Sequence, residues 1–463
     1  MQRGRFLDGS TMGHVVRMTA TGAFGITFVF IVDAANLLWL SQLGDPRLVA
    51  AIGFAFAIQF FSISSGIGLM IAATALVSVS IGQGRRRRAA RQAGAAMLMA
   101  VAVQAVVALA ILLFRRELVA LAGATGETAA LAERYIAMTV PSLVPMAAGL
   151  VFSAALRADG LAAKAMYVTF LSGLLLLVLD PVMILWLGLG LDGAAINLVL
   201  YRVMLMLLGF FFAWHQLRLV AWPPVREVSA FAAPFAALSL PAIATQMSTP
   251  AGNYLLTTVI APFGDDAVAA WAVVGRLTVV VFGGIFALSG SIGGIFGQNF
   301  GAGNFERLRS TYRDALLFCV AYTLPAWALL ALATPLVIDL FGLTGQGADV
   351  LRAFTEVGVG GYVFVGALFV ANAAFNSLGR PFRSALVNWI KDAAIAWPAA
   401  VLLAVAFGAP GVIYGQALAG AIAGTLAAAW GWRFVHSLRG VDPSKVDLPP
   451  VRPYPNPERY RRR

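Results

Sequence analysis

Two aspartates interrupt long apolar runs in this 463-residue chain. Asp33 lies inside the run from Gly22 to Leu43, and Asp180 inside a run near 165–187. A charge in hydrocarbon costs roughly 2.5–3.5 kcal/mol on insertion scales, so each acid is expected to face a protein interior. Burial favours the neutral acid, and such a carboxyl can bind and release protons near neutral pH. Asp180 also precedes Pro181. That proline removes a backbone donor and frees a carbonyl nearby, which makes the position a candidate proton or cation site. Structural roles compete with these: a hydrogen bond from Asp33 to Asn36 or a backbone carbonyl, and an ion pair of Asp180 with Arg202. Close together, the two acids would disfavour each other's ionisation, and protonating the pair could bend the first span.

Other polar residues fall within apolar runs. Arg202 and Arg276 need partners, either by pairing within the protein or by forming an anion-binding cavity. Lys391 and Asp392 are helical neighbours expected to point about 100° apart, so an ion pair and a substrate contact weigh equally. Gln59, Gln246, Asn253, Asn372 and Asn388 could hydrogen-bond between helices or line a substrate cavity. Catalysis has little support. His14, His215 and His436 fall at boundaries, and the single cysteine, Cys319, provides neither a disulfide nor a thiolate metal site. Gly301-Ala302-Gly303-Asn304 lacks the Gly-Lys-Ser/Thr of a phosphate loop. No enzyme activity, metal or cofactor is expected.

The elements that must position these residues are membrane spans. The chain is 60% hydrophobic and 12% charged, with mean hydropathy +0.84, too little charge for a soluble surface. A crossing needs about 20 apolar residues. Twelve runs qualify, near 20–43, 48–81, 93–114, 132–156, 165–187, 193–214, 235–262, 267–296, 314–337, 353–378, 384–406 and 411–434. The second and eighth exceed one crossing and must tilt, bend or emerge; Gly66, Gly68, Gly283-Gly284 and Gly293-Gly294 are sites for bending or close packing. The net charge of +12 is unevenly placed. Arg47, Arg115, Arg116, Arg134 and Arg352 border one set of loops, while the dense Arg85–Arg88 cluster with Arg91 and most other cations border the opposite set. The positive-inside rule then places both termini in the cytoplasm, with the cluster against anionic lipid. Nucleic acid is a poor reading without stacking aromatics or a soluble domain. The first apolar run is too long for a cleavable signal.

The pattern occurs twice. Gly44-Asp45 reappears as Gly264-Asp265, Gly82-Gln83 as Gly297-Gln298, Arg157-Ala158-Asp159-Gly160 as Asn376-Ser377-Leu378-Gly379, Asp180-Pro181 as Trp397-Pro398, and Gly193 as Gly411. The expected fold is therefore an all-α integral membrane protein of two parallel-repeat six-helix lobes around a central cleft. The expected divisions are a lead at 1–18, an N-lobe at 19–214, a linker at 215–233, a C-lobe at 234–435 and a disordered basic, Pro-rich tail at 436–463.

The segment Gly297-Gln298-Asn299-Phe300-Gly301-Ala302-Gly303 resembles the signature of the multidrug and toxic compound extrusion family. Val32-Asp33-Ala34, Leu43-Gly44, Ala50-Ala51-Ile52-Gly53, Leu179-Asp180-Pro181, Gly193-Ala194-Ala195 and Ala269-Ala270-Trp271 are similar to that family's pattern, in order across all twelve spans. The resemblance implies export of organic compounds against inward proton or sodium flow. One branch carries a glutamate eight residues after a span-seven proline; here Pro241 leads to Thr249. Another relies on aspartates matched by Asp33 and Asp180, commonly with an asparagine where this chain has Leu176. The ion site is then reduced, and proton is expected over sodium. The expectation is a monomeric inner-membrane antiporter for amphipathic, cationic compounds, with small organic substrates and membrane lipids as its partners. A flippase for a lipid-linked or amphiphilic substrate is the alternative, and a non-transporting receptor or scaffold a weaker one.

Overall fold

A computed structural model describes residues 4–438. These residues are helical throughout, with no strand among them. Twelve helices are long and apolar enough to cross a membrane: α1 Thr11–Ser41, α2 Pro46–Gly82, α3 Arg86–Leu113, α4 Gly126–Ala158, α5 Ala162–Trp186, α6 Gly190–Gln216, α7 Val225–Phe263, α8 Asp265–Gly301, α9 Phe305–Leu332, α10 Gly345–Ser377, α11 Pro381–Phe407 and α12 Pro410–Ser437. Local chemistry sets their ends. Ser10 caps α1 by accepting from the Gly13 amide, Asp45 caps α2 by accepting from the Arg47 amide, and Pro46, Pro381 and Pro410 open helices where no amide partner is lost. Gly44 (φ 74°) and Gly264 (φ 99°) both take a positive φ before α2 and α8, which a Cβ would strain.

The two halves repeat one packing plan. In the N-lobe α4 packs on α2 and α6, and α5 packs on α1 and α6; in the C-lobe α10 packs on α8 and α12, and α11 on α7 and α12. Even the breaks recur. A 3₁₀ turn interrupts α4 at Val140–Ser142 and α10 at Gly358–Gly361, and short helices Arg115–Leu121 and Thr334–Phe341 precede them. π-helical segments at Val182–Trp186 and Ile390–Ala396 widen α5 and α11 beside their prolines. The overlong α8 does bend. Phe282 leaves helical dihedrals (φ −106°, ψ 19°) beside Gly283-Gly284, and the helix breaks again at Ile292 before Gly293-Gly294.

Several boundaries differ from those read in the sequence. The helix of the first span begins at Thr11, well inside the lead assigned to 1–18, because Ser10 supplies a cap and hydropathy alone does not register capped polar turns. The linker assigned to 215–233 is shorter, since α6 runs to Gln216 and α7 starts at Val225 directly after Pro224. His436 and Ser437 complete α12, while the rest of the proposed disordered tail lies outside the described residues.

Candidate functional site

Interlobe contacts concentrate at the end of the molecule that carries the basic loops. Gly22 of α1 meets Ala287 and Ser291 of α8, and Gly283 of α8 meets Thr27, so the two helices run antiparallel in contact. Gly68 of α2 lies against Ile243 in α7, where an added Cβ would come within 2.7 Å of the Ile243 backbone. Gly82 abuts the Gln298 carbonyl, Gly297 abuts Ser78, and Gly301 abuts the Val79 carbonyl. A Cβ at any of these motif glycines would overlap the opposite lobe, so their smallness allows α2 and α8 to cross.

The N-terminal segment reinforces this closed end. Phe6 is buried, and its amide donates to Gln298 Oε1 at 3.0 Å. Gln298 Nε2 donates to the Ala158 carbonyl of the N-lobe at 2.6 Å, and Asn299 Nδ2 donates to the Phe6 carbonyl at 3.3 Å. Arg307 of α9 donates to the Asn299 side chain and to the carbonyls of Phe6 and Gly9. On the N-lobe side, Asp159 accepts from Arg5 at 3.4 Å and pairs with Arg86 at 2.9 Å. Residues 4–10 therefore form a strap across both lobes, which the sequence reading missed.

Toward the other end the facing sides of α1 and α8 are uncovered. Beyond the Phe282 bend, the side of α8 that would continue toward α1 is bare, with Ala269, Ala272, Arg276 and Val280 exposed. Phe30, Asp33 and Ala34 are likewise exposed on α1. Asp33 lies eleven residues, about three turns, beyond Gly22 and so shares its side of the helix. From the Thr27–Gly283 contact, Asp33 is about 9 Å further along α1 and Arg276 about 10 Å back along α8. They stand at similar heights on opposite walls of an interlobe cleft, and they form no ion pair.

The N-lobe gathers a polar network behind Asp33. Asp180, fully buried, accepts from Asn36 Nδ2 at 2.9 Å and from Asn197 Nδ2 at 3.0 Å. Asn36 therefore serves Asp180 rather than Asp33. The expected Asp180–Arg202 ion pair does not form. Buried Arg202 instead donates to Gln59 Oε1, the Thr139 carbonyl and Ser142 Oγ, all at 3.0–3.1 Å, because α2 and the break in α4 present these oxygens to it. Asp33 remains within electrostatic reach of Arg202 and Asp180, and Tyr135 and Tyr201 share the neighbourhood. Asn197, Thr139, Ser142 and the two tyrosines were not singled out in the sequence, although Asn197 was visible as a lone amide in an apolar run.

The C-lobe candidates do not join this network. Asn388 Nδ2 donates to Asn372 Oδ1 at 3.0 Å, tying α11 to α10. Lys391 pairs with Asp392, although regular α-helical geometry points neighbours apart. The long lysine side chain and the wider π-helical turn bring them together. Asp392 Oδ2 is buried without a partner, and Asp392 packs on Gly252 of α7. Gln246, Asn253 and Arg276 make no side-chain hydrogen bond among the described residues. No group of acids, histidines and cysteine suited to a metal ion occurs among the described residues.

The MatE family model matches residues 23–182 and 241–400, two stretches of equal length, one within each lobe. The chain belongs to the MatE family. A curated relative, the FAD transporter of Shewanella oneidensis, is 25% identical over 406 residues, covering 86% of this chain and 89% of that protein. An uncharacterised 21 kDa protein of Pseudomonas savastanoi is 30% identical over 152 residues, covering 33% of this chain and 50% of that one. Among solved structures, a MATE transporter in complex with MaL6 aligns at TM-score 0.88 and 22% identity, covering 95% of this chain and 100% of that one. A Vibrio cholerae MATE transporter, VcmN, in an aspartate-to-asparagine form aligns at 0.86 and 23% identity, covering 94% and 98%. The fold is that of MATE transporters. This MatE protein is a multi-pass membrane transporter and not an enzyme.

Proposed function

We propose that this protein exports amphipathic organic compounds by alternating access, coupled to inward proton flow through Asp33 and Asp180. The observation that carries the reading is the placement of the two acids: Asp33 opens onto the cleft while Asp180, within its electrostatic reach, is buried and held by two asparagines. Buried intramembrane carboxyls of this kind bind and release protons as their surroundings change. Orientation follows the basic end, which the positive-inside rule places in the cytoplasm of a bacterial inner membrane. The conformation described is then closed inward and open outward. A ligand shifts such an equilibrium only by its differential affinity for the two states, so substrate and proton must prefer different ones.

Cationic drugs are the substrate class implied by the family resemblance. A flavin dinucleotide is the second reading, favoured by the relative named as a FAD transporter. Transport into everted vesicles under a pH gradient or a sodium gradient tests the coupling, with ethidium and FAD as substrates. Uptake driven by the pH gradient and lost in Asp33→Asn and Asp180→Asn is the expected result. Uptake that survives both substitutions would refute the assignment of the coupling site.

A further inference from the structure

We infer that the interlobe cleft binds an anionic group of the transported compound, a phosphate or carboxylate, through Arg276 on the C-lobe wall. The inference rests on the transport reading and names its substrate class.

Arg276 is exposed and has neither a hydrogen bond nor an ion pair among the described residues. It stands eleven residues into α8, about 16 Å from the start of the helix, beyond the reach of its own side chain to that end. On a lipid-facing stripe a guanidinium at this depth would carry a heavy desolvation cost. On the stripe that faces α1 across the cleft it is hydrated and free to accept a ligand. The stripe containing Ala269, Ala272, Arg276 and Val280 continues the side of α8 that packs on α1 through Gly283, Ala287 and Ser291.

The other buried acids are held by neighbours. Asp180 accepts from Asn36 and Asn197, Asp159 pairs with Arg5 and Arg86, and Asp392 pairs with Lys391 through one of its two oxygens. Only Asp33 opposes Arg276, across the cleft and without pairing. When Asp33 carries a proton, the cleft walls offer net positive charge. A guanidinium recognises phosphate or carboxylate by paired, charge-assisted hydrogen bonds.

The test compares FAD with riboflavin, which shares the ring system and lacks the phosphates. Flavin fluorescence would be followed on titrating the purified full-length protein in nanodiscs of zwitterionic lipid. Arg276→Gln is expected to weaken FAD binding by about tenfold or more, the scale of a lost charged hydrogen bond, and to leave riboflavin binding unchanged. Arg276→Lys should recover part of the loss. Equal loss for both flavins, no change in Arg276→Gln, or no FAD binding by the wild type would overturn the inference. Proton-driven ethidium uptake in vesicles distinguishes the two levels. If uptake is present while FAD binding is absent, transport stands and the anion site falls; if neither ethidium nor FAD is carried under any gradient, the transport reading itself falls.

Discussion

At the residue scale, the charges inside the apolar runs differ in how they are satisfied. Arg202 is buried among neutral oxygens from α2 and α4, so Arg202→Met strands Gln59 Oε1, the Thr139 carbonyl and Ser142 together. Thermal unfolding in detergent should show a loss of about 1–3 kcal/mol, the cost of leaving buried acceptors unpaired; an unchanged midpoint would mean that water replaces the guanidinium. Asp159, at the closed end, makes a pH-dependent prediction. Burial pushes its carboxyl above the ordinary carboxylate range, against the pull of Arg86 and Arg5. A carboxyl raised in this way holds its proton more tightly in the fold, so its contribution to stability is present in acid and is lost as pH rises through the raised value. Wild type should therefore gain on Asp159→Asn as pH falls through the raised value toward the ordinary 3.8, and a pH-independent difference between the two melting points would contradict this. Asp33, Asp180 and Arg202 were legible in the sequence because a charge stands out in an apolar run. Their partners were not: Asn36 and Asn197 are equally spaced for many contacts, and only the packing of α1, α5 and α6 directs both amides to Asp180.

At the element scale, hydropathy located all twelve spans, since a helix in hydrocarbon must be apolar over its whole crossing. Hydropathy is blind to caps and to short polar segments, which is why the strap at residues 4–10 read as a loose basic lead. Its two strongly apolar residues, Phe6 and Leu7, are too few for a sequence signal, yet Phe6 is buried between Gly160 and Gly294. The strap also explains why Gln298 and Asn299 stand inside the glycine motif: their amides hold Phe6 to both lobes. Removing residues 1–9 behind a new start methionine should loosen the closed end. A cysteine placed at Ser78, which is fully buried beside Gly297, reports that opening by maleimide labelling, with buried Cys319 as the only native thiol. Labelling several-fold faster in the truncated protein is the expected outcome, and equal rates would reduce the strap to a surface covering.

At the scale of the whole molecule, duplication supplies two similar bundles and the interface supplies the working joint. α1 meets α8 and α2 meets α7, so each lobe lends its first two helices to the seam. Transport by alternating access requires the sealed half of that seam to open once in every cycle. Gly22 and Ser291 test this directly. A Cβ on Gly22 lies 3.7 Å from that of Ser291, within the roughly 3.5–4.5 Å that a disulfide spans. The same Cβ lies 3.0 Å from that of Ala287, a tight contact that α8 must accommodate by a few tenths of an ångström. The Gly22→Cys, Ser291→Cys pair should oxidise across the lobes and stop proton-driven uptake in vesicles, and reductant should restore it. Each single substitution, which cannot cross-link within the chain, should retain transport under oxidation. Cross-linking is scored by cutting the chain between α6 and α7 and asking whether the halves stay joined on a denaturing gel. If they remain fully joined while transport continues, the basic end never opens, and substrate reaches the cleft by a route other than the seam between the lobes.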